Sequence, residues 1–118
     1  MNIPEYNGRG VYGLHNMTRD IWYIGESKRV RSRVRSHLNT LKRGEHINDR
    51  IQRDFDRGDV FQVVVLEMLP DATQHYTFLR ETAYINAFNA VHNGYNREYP
   101  VYFPERAYPW AERAVVEE

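Results

Sequence analysis

The stretch Gly10-Val11-Tyr12-Gly13-Leu14-His15-Asn16-Met17-Thr18-Arg19-Asp20-Ile21-Trp22-Tyr23-Ile24-Gly25-Glu26-Ser27 sets the architecture. Gly10 to Leu14 reads as a short strand, Asn16 to Asp20 as a turn and Ile21 to Ile24 as a second strand. The spacing predicts a β-hairpin with Tyr12 and Tyr23 on adjacent strands. Gly25-Glu26-Ser27 breaks the second strand, and Ser27 is a candidate N-cap for a helix that Gly44 stops. Between them Val30, Val34, Leu38 and Leu41 recur at helical spacing.

Working outward, a second helix is expected from about Ile47 to Arg57, carried by Ile47, Ile51 and Phe55 and ended by Gly58. Val60 to Leu69 is a β-rich run bounded by Gly58 and Pro70, the third strand. A longer helix is expected from Asp71 to about Phe88, with Asp71 or Thr73 near its start, and Asn93-Gly94 signals a turn. The order is ββααβα. It predicts an α+β domain with a small antiparallel three-stranded sheet flanked by helices. Residues 1–98 make up this domain. Residues 99–118 carry three prolines and a net charge of −2, and read as a C-terminal extension packed on the domain or trailing from it, with a short helix from Pro109.

A chain of 118 residues holds one compact domain with one core, and 42% hydrophobic and 14% aromatic residues fit a globular protein. The longest apolar run, Val63 to Leu66, is far too short to span a membrane, and Met1 to Glu5 has no signal-peptide character. The absence of cysteine removes disulfides, thiol catalysis and cysteine-ligated zinc, and is compatible with a reducing cytoplasm. Net charge is zero, but its distribution is uneven. Lys28, Arg29, Arg31, Arg33, Arg35, Lys42 and Arg43 lie between Ser27 and Gly44 with no acid among them, leaving nine bases elsewhere against all sixteen acids. Such a segment is either a solvated helix face or a basic face that steers toward phosphate.

Three features could carry chemistry. Glu81 falls on the helix face formed by Thr77, Phe78, Tyr84, Ile85 and Phe88, so a carboxylate is centred where burial is expected. A buried carboxylate needs a cation or a set of donors, which here means an internal salt bridge to a base on the first helix or a metal ion. Arg33 and His37, four apart, share a helix face bordering the Val30/Val34 stripe. From that edge an arginine can hold a phosphate in its planar fork or lie along the surface on its aliphatic stem. Tyr12 and Tyr23 are either an aromatic cross-strand pair or catalytic phenols, and a phenol works as a base only if its anion is stabilised. The remaining histidines form no zinc-binding spacing.

Together these features resemble the GIY-YIG nuclease superfamily, and within it the catalytic domains of phage-type homing endonucleases. Gly10-Val11-Tyr12 and Tyr23-Ile24-Gly25 match the two signature triplets, with valine in place of isoleucine in the first. Arg33, ten residues after Tyr23, stands at the family's catalytic arginine, and His37 and His46 match two family histidines. Glu81 occupies the place of the single metal-binding glutamate, and Gly94-Tyr95-Asn96 resembles the closing motif. Glu26 departs from the pattern, where a small residue is usual. Its charge would oppose phosphate unless the side chain points away or pairs with Lys28 or Arg29.

The resemblance implies a DNA endonuclease that leaves 5′-phosphate and 3′-hydroxyl ends. Tyr12 would be the general base, with His37 as its partner and proton acceptor. Tyr23 would orient water or phosphate, Arg33 would bind the scissile phosphate, and Glu81 would hold one Mg²⁺ or Mn²⁺ ion. Asn96 and His46 would support the site. Lys28, Arg29, Arg31, Arg35 and Lys42 are the candidate DNA contacts. It also implies work in the cytoplasm of a bacterial or phage-infected cell, with a separate DNA-binding domain or partner protein supplying specificity. Two other readings stand beside it: a catalytically silent nucleic-acid-binding module on the same fold, and a structure-selective nuclease cutting branched DNA.

Overall fold

The computed structural model describes residues 1–97; the extension at 99–118 lies outside the described residues. Six elements follow in order: β1 (Gly10–Asn16), β2 (Ile21–Ser27), α1 (Val30–Lys42), α2 (Asp49–Asp56), β3 (Phe61–Met68) and α3 (Gln74–Ala87). This is the expected ββααβα order. The strands form one antiparallel sheet in the order β2-β1-β3, so β1 is central and β2 lies at one edge of the sheet.

The hairpin runs further than its apolar residues suggest. β1 continues to Asn16 and β2 to Ser27, with Gly10 opposite Ser27 and Asn16 opposite Ile21. Asn16 is fully buried, and its side-chain oxygen accepts from the backbone N–H groups of Thr18 and Arg19. The turn's donors are thus satisfied locally, and pairing extends to the last residue before it.

The two faces of the sheet hold two cores. Tyr12, Leu14, Phe61 and Val63 pack with Val30, Val34 and Leu41 of α1 and Ile51 of α2. On the other face Val11, Ile24 and Leu69 pack with Ile85 of α3 and Ala90. The alternation of Val11 and Tyr12 between faces is the period-2 pleat at work.

Helix starts differ from expectation in two places. Ser27 is not the cap of α1. It closes β2, and its hydroxyl bonds the backbone of Arg29. Arg29 precedes α1 without a side-chain cap. The first α1 donors are met from far away: Val30 N–H by the Gly8 carbonyl, Arg31 N–H by the Tyr6 carbonyl and Ser32 N–H by the Asn7 side chain. The second helix does not begin at Ile47, which is 84% exposed. Asn48 is its N-cap, accepting from Arg50 and Ile51 N–H, so the helix starts one residue later and Ile47 stays outside it. In α3, Thr73 rather than Asp71 caps the helix.

Candidate active site

The site grows from the outer edge of β2. In an antiparallel edge strand, every second residue turns both backbone groups outward. On β2 these are Trp22, Ile24 and Glu26. The Trp22 carbonyl accepts from Tyr95 N–H at 2.9 Å. Asn96 takes both groups of Ile24: its oxygen accepts Ile24 N–H at 2.8 Å and its amide donates to the Ile24 carbonyl at 2.9 Å. The closing Gly94-Tyr95-Asn96 segment therefore pins the edge like a short fourth strand. Gly94 is required for the approach, since a Cβ there would stand 2.6 Å from both the Ala90 and Trp22 carbonyl oxygens. One step further along the edge, the Glu26 N–H faces the carboxylate of Glu81 on α3.

Tyr12, paired with Gly25 in the hairpin, lays its ring across that glycine. A Cβ on Gly25 would come within 2.6 Å of the Tyr12 hydroxyl, so the second triplet needs glycine to admit the first triplet's tyrosine. The Tyr12 and Tyr23 ring centroids are 6.5 Å apart, and each lies 5.7 Å from the His37 ring. The Tyr12 hydroxyl and His37 Nε2 are 2.8 Å apart. His37 Nδ1 and His46 Nε2 are also 2.8 Å apart, with the two rings stacked. His46 Nδ1 accepts Asn48 N–H at 3.0 Å.

Charge and burial set the chemistry of these groups. Burial pushes the Tyr12 phenol well above its ordinary range; Tyr23 adds to this and Arg33 opposes it. Burial lowers His37 to about 3, helped by His46 and Arg33, and burial lowers His46 too. Glu81 is 8% exposed, and its Oε1 has no hydrogen-bond partner. Burial first, then the neighbouring Glu26 carboxylate, raises it to about 8, with Arg33 pulling the other way. Arg33 thus acts on Tyr12, His37 and Glu81 together, which places it among them. No ion pair reaches Glu81 among the described residues, so the internal salt bridge is not made.

Seven residues singled out in the sequence, Tyr12, Tyr23, Arg33, His37, His46, Glu81 and Asn96, therefore come to one corner of the sheet. The basic segment divides. A groove of about 540 Å³ is lined by Lys28, Arg29 and Arg33 with Ser32 and Ser36 on α1, Glu26 and Ser27 on β2, and Gln74 on α3. Arg31 is outside it, donating to the Pro4 carbonyl. Arg35 and Lys42 point away from it, about 200° and 180° around α1 from Arg33 at 100° per residue. Arg43 is paired with Glu45.

Glu26 neither points away from the site nor pairs with Lys28 or Arg29. It accepts from the Gln74 amide at 3.2 Å, and Arg9 donates to the same Gln74 from behind. The supporting roles of three residues escaped the sequence reading, although Tyr95 was named there within the closing motif. Asn48 anchors His46 and also donates to the Tyr95 carbonyl. Gln74 holds Glu26. Tyr95, fully buried, bonds Asn16 and Asp54 through its hydroxyl. Tyr95 was marked by its place in the closing motif, Asn48 by a local signal, an asparagine before the acidic first turn at Asp49, and Gln74 by nothing local.

The chain belongs to the GIY-YIG family: the profile of the GIY-YIG catalytic domain matches residues 9–96. It is thus a nuclease-family domain by both sequence and fold. Among curated relatives it is 32% identical over 88 residues to intron-associated endonuclease 1 of Enterobacteria phage T4, a match covering 74% of this chain and 36% of that protein. The chain therefore corresponds to about a third of that relative's length. Among solved structures it resembles the catalytic domain of the homing endonuclease I-TevI, with a TM-score of 0.70 and 30% identity over 76% of this chain and 98% of that one. A mutant of the I-TevI catalytic domain gives a TM-score of 0.71 at 28% identity, covering 80% and 98% of the two chains.

Proposed function

We propose that this domain is a metal-dependent DNA endonuclease that hydrolyses phosphodiester bonds to 5′-phosphate and 3′-hydroxyl ends, in the manner of the homing endonucleases it resembles. The observation that carries this reading is Glu81. It is a carboxylate nine-tenths buried, with an unpartnered oxygen, beside a second carboxylate and within the field of Arg33. Such a charge cost is retained where a cation offsets it.

The donor set fits Mg²⁺ or Mn²⁺. The Glu81 oxygens are hard donors and one of them is unpartnered, as suits an ion held by few protein oxygens and several waters. When bound, such an ion supplies Lewis acidity to a phosphate oxygen and to the leaving 3′ oxygen.

The chain's own residues do the rest. Lys28 and Arg29 draw the DNA backbone into the groove, and Arg33, which also lines it, binds the scissile phosphate and neutralises charge building on its oxygens. Tyr23 orients the attacking water. Tyr12 takes that water's proton as its anion. Because burial holds the phenol neutral in the free protein, the anion depends on Arg33, on His37 and on the positive charge gathered at the site. Asn96 keeps the β2 edge in place beneath these groups. Specificity for a target sequence is assigned to a separate DNA-binding segment or partner.

The test is incubation with supercoiled plasmid and Mg²⁺, followed by end analysis. Nicked or linear product, its loss on chelation, and ligatable 5′-phosphate ends are expected. DNA binding without any cleavage would instead support the catalytically silent module, and cleavage confined to branched substrates would support the structure-selective nuclease.

A further inference from the structure

The hydrogen-bond chain from Asn48 through His46 and His37 to Tyr12 has only one consistent proton order. Backbone N–H is an obligatory donor, so the Asn48 amide, 3.0 Å from His46 Nδ1, requires that nitrogen to be bare. A neutral imidazole has one N–H, so the His46 proton is on Nε2. That nitrogen is 2.8 Å from His37 Nδ1, which must then also be bare. The His37 proton is left on Nε2, 2.8 Å from the Tyr12 oxygen. Reversing the order would place an N–H on His46 Nδ1 directly against the Asn48 N–H. Adding a proton to either ring ends in the same clash, because one more N–H at His37 Nδ1 forces the His46 proton back to Nδ1.

The Asn48 amide cannot turn aside. Asn48 is the N-cap of α2, its side-chain oxygen accepts from Arg50 and Ile51, and its side-chain amide donates to the Tyr95 carbonyl. The surroundings agree with two neutral rings. His46 is 7% exposed, and the Arg33 guanidinium works against a second positive charge on His37. Both imidazoles are pushed by burial toward the neutral form.

We infer that His46 and the Asn48 backbone N–H are positioning groups that fix His37 as an N–H donor to the Tyr12 oxygen, so that His37 stabilises the Tyr12 anion rather than taking its proton. This reverses the role of proton acceptor that family resemblance suggests for His37. The Tyr12 proton leaves toward the groove, and the two histidines carry no net proton through the cycle. The catalytic half of the inference rests on the proposed hydrolysis; the proton order does not.

The experiment uses the free, metal-free protein labelled with ¹⁵N-histidine at neutral pH, with long-range ¹H–¹⁵N correlation to read which ring nitrogen is protonated. Both His37 and His46 are expected as Nε2–H tautomers. In His46→Leu, His37 should relax to a tautomer mixture and turnover should fall roughly 10-fold or more, by analogy with metal-bound histidines that lose an orienting partner. In His46→Gln, the side-chain amide reaches where Nε2 stood and can still donate, so the His37 tautomer and most of the turnover should return. An Nδ1–H tautomer or a cationic ring at His37 in the wild type would overturn the proton order. Unchanged turnover in His46→Leu would overturn the positioning role. Absence of cleavage by the wild type, with both tautomers as expected, would overturn the proposed hydrolysis alone.

Discussion

At the scale of single residues, Glu81 and His37 are forced in opposite directions by the same burial, and both effects are measurable. Glu81 holds its proton in the native state up to about 8, against an ordinary value of 4.5, so metal-free stability falls as pH rises through that interval. His37 refuses its proton down to about 3, against 6.5 in the unfolded chain, so its contribution grows as pH rises to 6.5 and then stops. Between 6.5 and 8 only the Glu81 effect of this pair remains. Urea unfolding in chelator should therefore show stability declining across that window by at most ~1.4 kcal/mol per pH unit, and Glu81→Gln should flatten the decline. A decline of the same slope in the variant would place its source elsewhere. Arg33→Ala should lower turnover on the order of 10³-fold while weakening DNA binding little, because its best contact is to charge that develops during the reaction. Single-turnover rates and a binding isotherm separate the two, and an affinity loss with intact turnover would make Arg33 an ordinary backbone contact. These residues were legible as types in sequence, but their environments were not. The spacing of Glu81 on α3 showed burial, whereas its unpartnered oxygen and the Glu26 neighbour depend on a strand that lies more than fifty residues earlier.

At the scale of elements, the hairpin and the ββααβα order were readable because period-2 and period-3.6 patterns are local and the triplets flank a turn. The ends of elements were less so. α1 lacks a side-chain cap because Tyr6, Asn7 and Gly8 supply acceptors from an earlier segment, which no window around Ser27 contains. Ile47 looked like a core position at helical spacing, yet Asn48 claims the helix start. The edge of β2 makes a sharper test. Asn96→Leu leaves the outward N–H and C=O of Ile24 unpaired in a buried place and should cost about 1–3 kcal/mol, read as a lowered thermal midpoint. If the variant is as stable as the wild type, Asn96 does not pin the edge. Gly25→Ala drives a methyl into the Tyr12 hydroxyl, so cleavage should be lost while Mn²⁺ binding persists; retained cleavage would show that Tyr12 can move without consequence.

At the scale of the whole molecule, zero net charge conceals a basic groove beside a carboxylate pair, and in the proposed function it is the groove rather than the total charge that would meet DNA. With Lys28, Arg29 and Arg33 facing it, affinity should fall with salt at a log–log slope of roughly −2 to −3, about −0.9 per phosphate. Lys28→Ala and Arg29→Ala should each flatten that slope, whereas Arg35→Ala and Lys42→Ala, on the far side of α1, should not. The reverse pattern would move the interface to the other face. Sequence alone could count seven bases in the segment, but only the roll of α1 against β1 and β2 decides which of them share a side. The proposed chemistry requires a cation at Glu81. The most direct measurement pairs Mn²⁺ binding, read by electron paramagnetic resonance, with plasmid cleavage in the same preparations of wild type and Glu81→Ala. The variant is expected to stay folded, to lose the tight Mn²⁺ site and to lose cleavage with it. A folded variant that still binds Mn²⁺ as tightly, or still cuts DNA at the wild-type rate, would contradict the proposed chemistry.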